Sequence, residues 1–311
     1  MGAGWGLSQP LAKIAVSEGY RHFGLIFWQM VIGAVLLGTF LALRGRGLPL
    51  GARQIGFYLL IALIGTIIPN STSYEAARHL PSGVISVAIA TVPMFAFPMA
   101  LVWGQDRFEW RRLAGLSCGL VGVVLLVSPG AGGNAAGWVA WVPLALIAPL
   151  FYGVEGNVVS RFDTGGMNPV QLLCGASVFG ALVTLPLAVA SGQWIDPRPP
   201  WYAPDMALFA TSVLHATIYA TYVWMVGRAG PVFAGQVAYL ITGFGVVWAM
   251  VILHETYAGG FWLAVMAMMV GMFLVSPRAK PDANEPLAAP ASMGEKEPEN
   301  NRPQTGARQR P

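Results

Sequence analysis

The chain has 311 residues, of which 55% are hydrophobic and only 10% are charged. Soluble domains typically carry about 25% charged residues, so this composition excludes an ordinary water-soluble protein and indicates an integral membrane protein. The net charge of +4 does not indicate a nucleic-acid partner, because the cations are spread over loops and form no basic groove with interleaved aromatic residues.

Apolar segments long enough to cross a bilayer recur along the chain. A hydrocarbon core of about 30 Å needs roughly 17 to 25 residues of helix, whereas barrel strands would be half as long and alternating. The sequence predicts an all-α integral membrane protein with ten transmembrane helices, at residues 2–16, 24–43, 55–76, 81–103, 113–128, 137–160, 169–190, 205–227, 231–252 and 258–276. The short first span suggests an N-terminus that begins inside the helix. We expect no signal peptide, since no positive region precedes the apolar run.

The two halves of the chain repeat each other. Gln29, Gly33 and Gly38 correspond to Gln171, Gly175 and Gly180, and the sequence Leu-Val-Ser-Pro occurs at both 126–129 and 274–277. We therefore predict a first five-helix repeat at 1–128, a linker at 129–136, a second five-helix repeat at 137–276 and a disordered cytoplasmic tail at 277–311. A duplicated helical membrane protein is most often a transporter.

Loop cations predict the orientation, because Lys and Arg near span ends stay on the cytoplasmic side. Three cations lie on one side, namely Arg21, Arg78 and Arg198. Ten lie on the side of the C-terminus: Arg44, Arg46, Arg53, Arg107, Arg111, Arg112, Arg161, Arg228, Arg278 and Lys280. Both termini are therefore expected in the cytoplasm, and the second repeat enters the membrane in inverted topology.

Polar residues inside the apolar spans are the candidates for function, because a charged group at mid-depth costs between about 2.5 and 17 kcal/mol. In the first span, Trp5, Gln9 and Lys13 share one helix face. This stripe predicts contact with an interior cavity. For Lys13 the alternative is that its long side chain reaches the headgroups at the nearby span end.

The sixth span carries Tyr152, Glu155 and Asn157, with no cation within a helical turn of the acid. Removal of a carboxylate from water favours its protonated form, and a proton-coupled carrier needs such a group. We therefore predict Glu155 as the proton-coupling residue. The alternative is a neutral, hydrogen-bonded packing residue.

The third span contains the polar sequence Asn70-Ser-Thr-Ser-Tyr74-Glu75 after Pro69, where a proline predicts a kink. Glu75 and Arg78 are spaced for a solvated ion pair of little energetic value. The eighth and ninth spans carry two further stripes, whose members are His215, Tyr219 and Tyr222, and Gln236, Tyr239 and Gly243. A single aromatic stripe is usually packing, but two that contain His and Gln predict a cavity shared with Gln29 and Gln171.

No catalytic motif or metal-binding constellation is present in the sequence. Cys118 and Cys174 lie inside apolar spans without metal-ligand spacing. We therefore expect a protein that is not an enzyme and that needs no cofactor or metal.

The chain resembles the drug/metabolite transporter superfamily, in its EamA-type branch. The resemblance is carried by Thr91-Val92-Pro93, by Gln105-Asp106 followed by Gly115, Gly119 and Gly122, by His254-Glu255-Thr256 with Gly271, and by Trp5-Gly6 with Lys13. It implies ten transmembrane helices in two inverted five-helix repeats. It also implies a secondary carrier in a bacterial-type inner membrane, of a kind that often exports amino acids, other metabolites or toxic amphiphiles without ATP. The chain departs from the pattern at Gln105, where many members have Glu, and at Gln29, which is often Arg.

The sequence thus predicts an alternating-access permease that holds its substrate near the bilayer midplane. The expected substrate contacts are Trp5, Lys13, Gln29, Asn70, Tyr74, Tyr152, Asn157, His215, Tyr219, Tyr222, Gln236 and Tyr239. The glycine-rich fifth and tenth spans should pack closely, at the centre or at a homodimer contact. The alternatives are a membrane-embedded enzyme that uses His215, His254 and Glu255, and a scaffold or sensor that transports nothing.

Overall fold

A computed structural model describes residues 1–104, 107–128, 135–162, 165–235 and 237–275, and within this part of the chain all regular secondary structure is helical. The helices are α1 (Gly2–Ser17), α2 (His22–Leu43), α3 (Ala52–Ile61), a π-helical segment (Ala62–Ile67), α4 (Ile68–His79), α5 (Ser82–Ile89), α6 (Val92–Val102), α7 (Trp110–Leu126), α8 (Ala135–Trp138), α9 (Val142–Arg161), α10 (Pro169–Ala190), α11 (Ala203–Gly235), α12 (Val237–Leu253) and α13 (Gly259–Val275). The prediction of an all-α membrane protein is confirmed.

Among the described residues, five helical stretches are long and apolar enough to cross a membrane: His22–Leu43, Ala52–His79, Ser82–Val102, Val142–Arg161 and Pro169–Ala190. The shorter helices Val237–Leu253 and Gly259–Val275 are also apolar. The count of ten spans and the inverted topology stay predictions.

Three stretches that contain prolines differ from the predicted spans. The kink expected at Pro69 stays a prediction; the structure shows the π segment Ala62–Ile67, which ends two residues before that proline. The span at 81–103 is interrupted by a turn at Ala90 and Thr91, just before Pro93. The gap predicted at 228–230 is helical, since α11 continues to Gly235. Transmembrane helices tolerate an internal Gly-Pro pair when neighbouring groups satisfy the backbone.

Glycines allow the closest helix contacts, as small residues do in membranes. A methyl group added at Gly115 of α7 would lie 2.7 Å from the Gly271 carbonyl oxygen of α13. The predicted close packing of the glycine-rich fifth and tenth spans is therefore confirmed. Helices α1 and α12 approach in the same way, because a methyl group at Gly6 would lie 2.7 Å from the Gly245 nitrogen.

Candidate functional site

Four of the predicted substrate contacts form one hydrogen-bonded cluster, the central cluster, made of Gln29, Asn70, Tyr74 and Tyr152. The Gln29 side-chain oxygen accepts hydrogen bonds from the Tyr74 hydroxyl at 2.8 Å and from the Asn70 amide at 3.2 Å. The Asn70 side-chain oxygen in turn accepts one from the Tyr152 hydroxyl at 3.1 Å. The cluster therefore joins α2, α4 and α9 through neutral donors and acceptors.

Glu155 lies one helical turn beyond Tyr152 on α9, against the π segment. A methyl group added at Gly65 would lie 2.7 Å from the Glu155 carboxyl carbon and 3.0 Å from Oε2. Within the described residues, no hydrogen bond or ion pair reaches this carboxyl group. Its environment fits a group that exchanges a proton or binds a ligand.

His215 lies on the wall of a pocket between α2, the π segment, α10 and α11. The pocket is small, with a volume of about 20 Å³, and its polar lining residues are Gln29, Thr66, Ser177, Ser212 and His215. The imidazole ring stacks on Tyr219, with 6.3 Å between ring centroids. Because Gln29 belongs to both the pocket and the central cluster, the two features are continuous.

Lys13 contacts the end of α4 rather than the central cluster. Its ammonium group donates hydrogen bonds to the carbonyl oxygens of Ala77 at 2.5 Å and Leu80 at 3.0 Å. A cation is stabilised at the C-terminus of a helix, where carbonyl groups lack intrahelical partners. This geometry is neither the predicted cavity contact nor the headgroup contact, and a role of Lys13 in substrate binding stays a prediction.

Glu255 lies between α12 and α13, and its side chain contacts the first residues of α5, which follows α4 in the chain. Its carboxylate accepts hydrogen bonds from the backbone nitrogens of Ser82 at 2.8 Å and Gly83 at 3.1 Å, and from the Tyr257 hydroxyl. Glu255 also interacts electrostatically with Lys13. We call Lys13, Glu255 and Tyr257 the clasp, because together they bind both helix ends at the α4–α5 junction.

Other predicted contacts are distributed around the cluster. Asn157 donates to the carbonyl oxygens of Ala96 at 3.0 Å and Gly153 at 2.9 Å, and so ties α9 to α6. Trp5 and Tyr239, both half-buried, lie on the closely packed helices α1 and α12. The side chain of Tyr222 and all of Gln236 lie outside the described residues, as does the tail predicted from residue 277 onward.

Two further predictions have clear outcomes. The Glu75–Arg78 ion pair is confirmed, with 2.9 Å between Oε1 and Nη1. The expectation that Gln171 and Gln29 share a central cavity is wrong, because Gln171 forms a capping box with Asn168 at the start of α10 and donates to the Gly47 carbonyl. Its position in the first turn after Asn168-Pro169 made a capping role the stronger physical expectation.

The sequence reasoning missed Thr66, Ser177 and Ser212 in the pocket, and Gly65 beside Glu155. A hydroxyl group on a transmembrane helix usually bonds the carbonyl of the preceding turn, as Ser212 does with Leu208 at 2.7 Å. Such residues give little signal in a sequence. For Gly65, the only available signal was its spacing of four residues before Pro69.

Comparison with known proteins places this geometry in a family context. A sequence profile of the EamA-like transporter family matches the chain twice, at residues 1–128 and 139–276. The chain is 26% identical over 297 residues to YedA of Escherichia coli K12, described as an uncharacterized inner membrane transporter, with 92% of this chain and 91% of that protein covered.

Two further comparisons agree with this result. A protein of Streptantibioticus cattleyicolor, described as a probable terminal-alkyne amino-acid exporter, is 25% identical over 189 residues, which cover 60% of this chain and 61% of that protein. A solved crystal structure superposes with a TM-score of 0.62 at 16% identity, covering 88% of this chain and 94% of that chain, and shows similarity of fold. The chain belongs to the EamA-like transporter family and is a multi-pass transporter of the inner membrane.

Proposed function

We propose that the chain is a secondary-active exporter of small metabolites, such as amino acids or aromatic amphiphiles, and that it works by alternating access. The observation that carries the proposal is the central cluster, in which buried and half-buried neutral donors and acceptors from α2, α4 and α9 converge. Polar groups are costly in a bilayer and are retained where they bind a ligand or line its path. The exporter name of the Streptantibioticus relative supports the direction of transport.

Single hydrogen bonds between neutral side chains suit a site that must bind and release its ligand. Such bonds in membrane proteins contribute about 0.6 kcal/mol on average, so a substrate with an amide, carboxyl or hydroxyl group can replace them at little cost. Half-buried aromatic residues near the pocket, such as Tyr219, supply apolar contact. The roles of Trp5, Asn157, Tyr222, Gln236 and Tyr239 in substrate binding remain part of the proposal, whereas that of Lys13 stays a prediction from the sequence, because its ammonium group binds the backbone at the α4–α5 junction.

Glu155 is the proposed site of proton coupling. The carboxyl group lies between α9 and the π segment without a hydrogen bond or ion pair to another described residue. Protonation removes the cost of holding a charge there. A proton that enters from outside and leaves to the cytoplasm through this group would drive substrate in the opposite direction, provided that both termini are cytoplasmic as the loop cations predict.

The test compares cells that over-express the wild-type chain, Glu155→Gln or Glu75→Gln, with extracellular metabolites measured by mass spectrometry. Glu75→Gln is the matched control, because Glu75 pairs with Arg78 near the end of α4. We expect a small set of metabolites to accumulate outside cells with the wild type and with Glu75→Gln. With Glu155→Gln, we expect export to lose its dependence on the pH gradient, as judged by addition of a protonophore.

Export by Glu155→Gln that still falls with the protonophore would overturn the assignment of the coupling site. No accumulation with any variant, at matched membrane expression, would favour a scaffold or sensor. The enzyme alternative has little support in the described residues, because His215 lines the pocket while Glu255 binds the backbone at the α4–α5 junction. It predicts a chemically altered metabolite rather than a relocated one.

A further inference from the structure

The π segment Ala62–Ile67 is the one stretch of π-helix among the described residues, and it contacts α9 where Glu155 lies. Single π turns inside α-helices are often found at functional sites. Pro69 gives a local physical reason for this one. Since proline has no N–H, the usual α-helical hydrogen bond from residue 69 to the carbonyl of Gly65 cannot form.

Gly65 is also the point of closest approach between this segment and Glu155. A methyl group at position 65 would overlap sterically with the carboxyl group, because its carbon would lie 2.7 Å from Cδ and 3.0 Å from Oε2, and closer still to Oε1. Real Cβ atoms essentially never come this near to another heavy atom. Any residue with a side chain at position 65 therefore requires Glu155 to move.

We propose that Gly65 is a positioning residue for Glu155, and that its missing side chain provides the seat in which the carboxyl group rests against the backbone of the π segment. The inference rests on the proposed coupling role of Glu155. Thr66, the next residue, lines the pocket that contains Gln29 and His215. The seat therefore adjoins the pocket along the chain, and we expect a shift of the carboxyl group to change its proton exchange.

The test compares Gly65→Ala with two control variants, each of which also replaces a glycine with alanine in a neighbouring helical segment. Gly156→Ala lies next to Glu155 on α9, and Gly56→Ala lies on α3, which continues into the π segment. A methyl group at either control position meets no heavy atom within 4 Å. All three changes favour helix formation by a similar amount, about 1 kcal/mol. A difference in labelling between Gly65→Ala and the two controls is therefore due to the contact with Glu155.

The probe is dicyclohexylcarbodiimide, which reacts with protonated carboxyl groups in membranes, and labelling of residue 155 is read by mass spectrometry between about pH 5 and pH 9. We expect the midpoint of labelling to move by about one pH unit or more in Gly65→Ala, and to coincide with the wild type in both controls. A Gly65→Ala curve that coincides with the wild type would overturn the proposal. So would equal shifts in the controls, or a Glu155 that does not react at any pH.

Glu155→Asp provides a second, independent variant. The aspartate side chain is shorter by one methylene group, so it removes the clash that Gly65→Ala creates. We expect the double variant Gly65→Ala/Glu155→Asp to label more like the wild type than either single variant does, which is a non-additive effect of residues in contact. Additive shifts would contradict the seat. If the seat is confirmed while metabolite export does not need Glu155, the coupling role fails and the positioning role stands.

Discussion

The clasp and the Glu155 seat both place a carboxyl group among helices, but they treat the charge in opposite ways. At the clasp, Glu255 accepts two backbone hydrogen bonds and one from Tyr257, while Lys13 donates to two backbone carbonyls. At the seat, Glu155 has no such partner among the described residues. We therefore expect the charged groups of the clasp to be structural and Glu155 to be available for function.

The same substitution at the two acids tests this contrast most strongly. Glu255→Gln should lower the free energy of unfolding by about 2 kcal/mol, because a neutral amide replaces charge-assisted bonds to two backbone nitrogens. Glu155→Gln should change it by less than about 0.5 kcal/mol, while it removes the response of export to a pH gradient. Denaturant titration in detergent measures the first quantity and metabolite efflux the second. A large loss of stability in Glu155→Gln would make that residue structural as well.

Lys13→Met gives the next largest effect, since methionine keeps the apolar stem and removes the ammonium group. We expect a loss of about 1 to 2 kcal/mol in unfolding free energy, because the carbonyl oxygens of Ala77 and Leu80 lose their donor. Export should retain its substrate profile at matched expression. Loss of export with unchanged stability would instead assign Lys13 to substrate binding, as the polar stripe on the first span predicts.

Two tyrosines form a smaller, matched test of the comparison. Tyr257→Phe removes a hydrogen bond to a carboxylate and should cost about 1.5 kcal/mol of stability with little effect on export. Tyr152→Phe removes a neutral bond to Asn70 and should cost about 0.6 kcal/mol, but it should slow export several-fold because the central cluster loses a donor. If both variants behave alike in stability and export, the proposed division between the two regions is wrong.

The sequence allowed Gln29, Asn70, Tyr74 and Tyr152 to be chosen among the candidates, because they are polar residues within apolar spans and such residues face one another or a cavity. Which of the candidates bond to one another became visible only in the structure. The sequence did not allow the clasp to be predicted. The partners of Lys13 are backbone atoms 64 and 67 residues further along the chain, and they are available only because the helix breaks between α4 and α5. The pattern of side chains in a sequence does not show which backbone carbonyl groups will accept a hydrogen bond.

The seat was hidden from the sequence for a related reason. Gly65 is one of 38 glycines, and its relation to Glu155 depends on how α9 is rotated against the π segment. Gln171 shows the opposite error, in which an apparent match to Gln29 suggested a shared cavity. A residue in the first turn of a helix is used by the cap, whereas the same residue type one or two turns further in is free to face the bundle.

The smallest expected effect is a loss of the stability that the clasp contributes at alkaline pH. Burial, together with the hydrogen bond to Glu255 and the charge of that residue, raises the pKa of Tyr257 above its ordinary value of about 10. The folded protein therefore holds the phenolic proton more tightly than the unfolded chain does. This contribution to stability is complete below about pH 10 and declines as the pH rises through the folded-state pKa. The melting temperature of the wild type should accordingly fall as the pH rises into the alkaline range. That of Tyr257→Phe, which has no phenolic proton to lose at this position, should fall less steeply. Parallel curves for the two proteins would mean that the phenol of Tyr257 contributes nothing to the stability of the clasp.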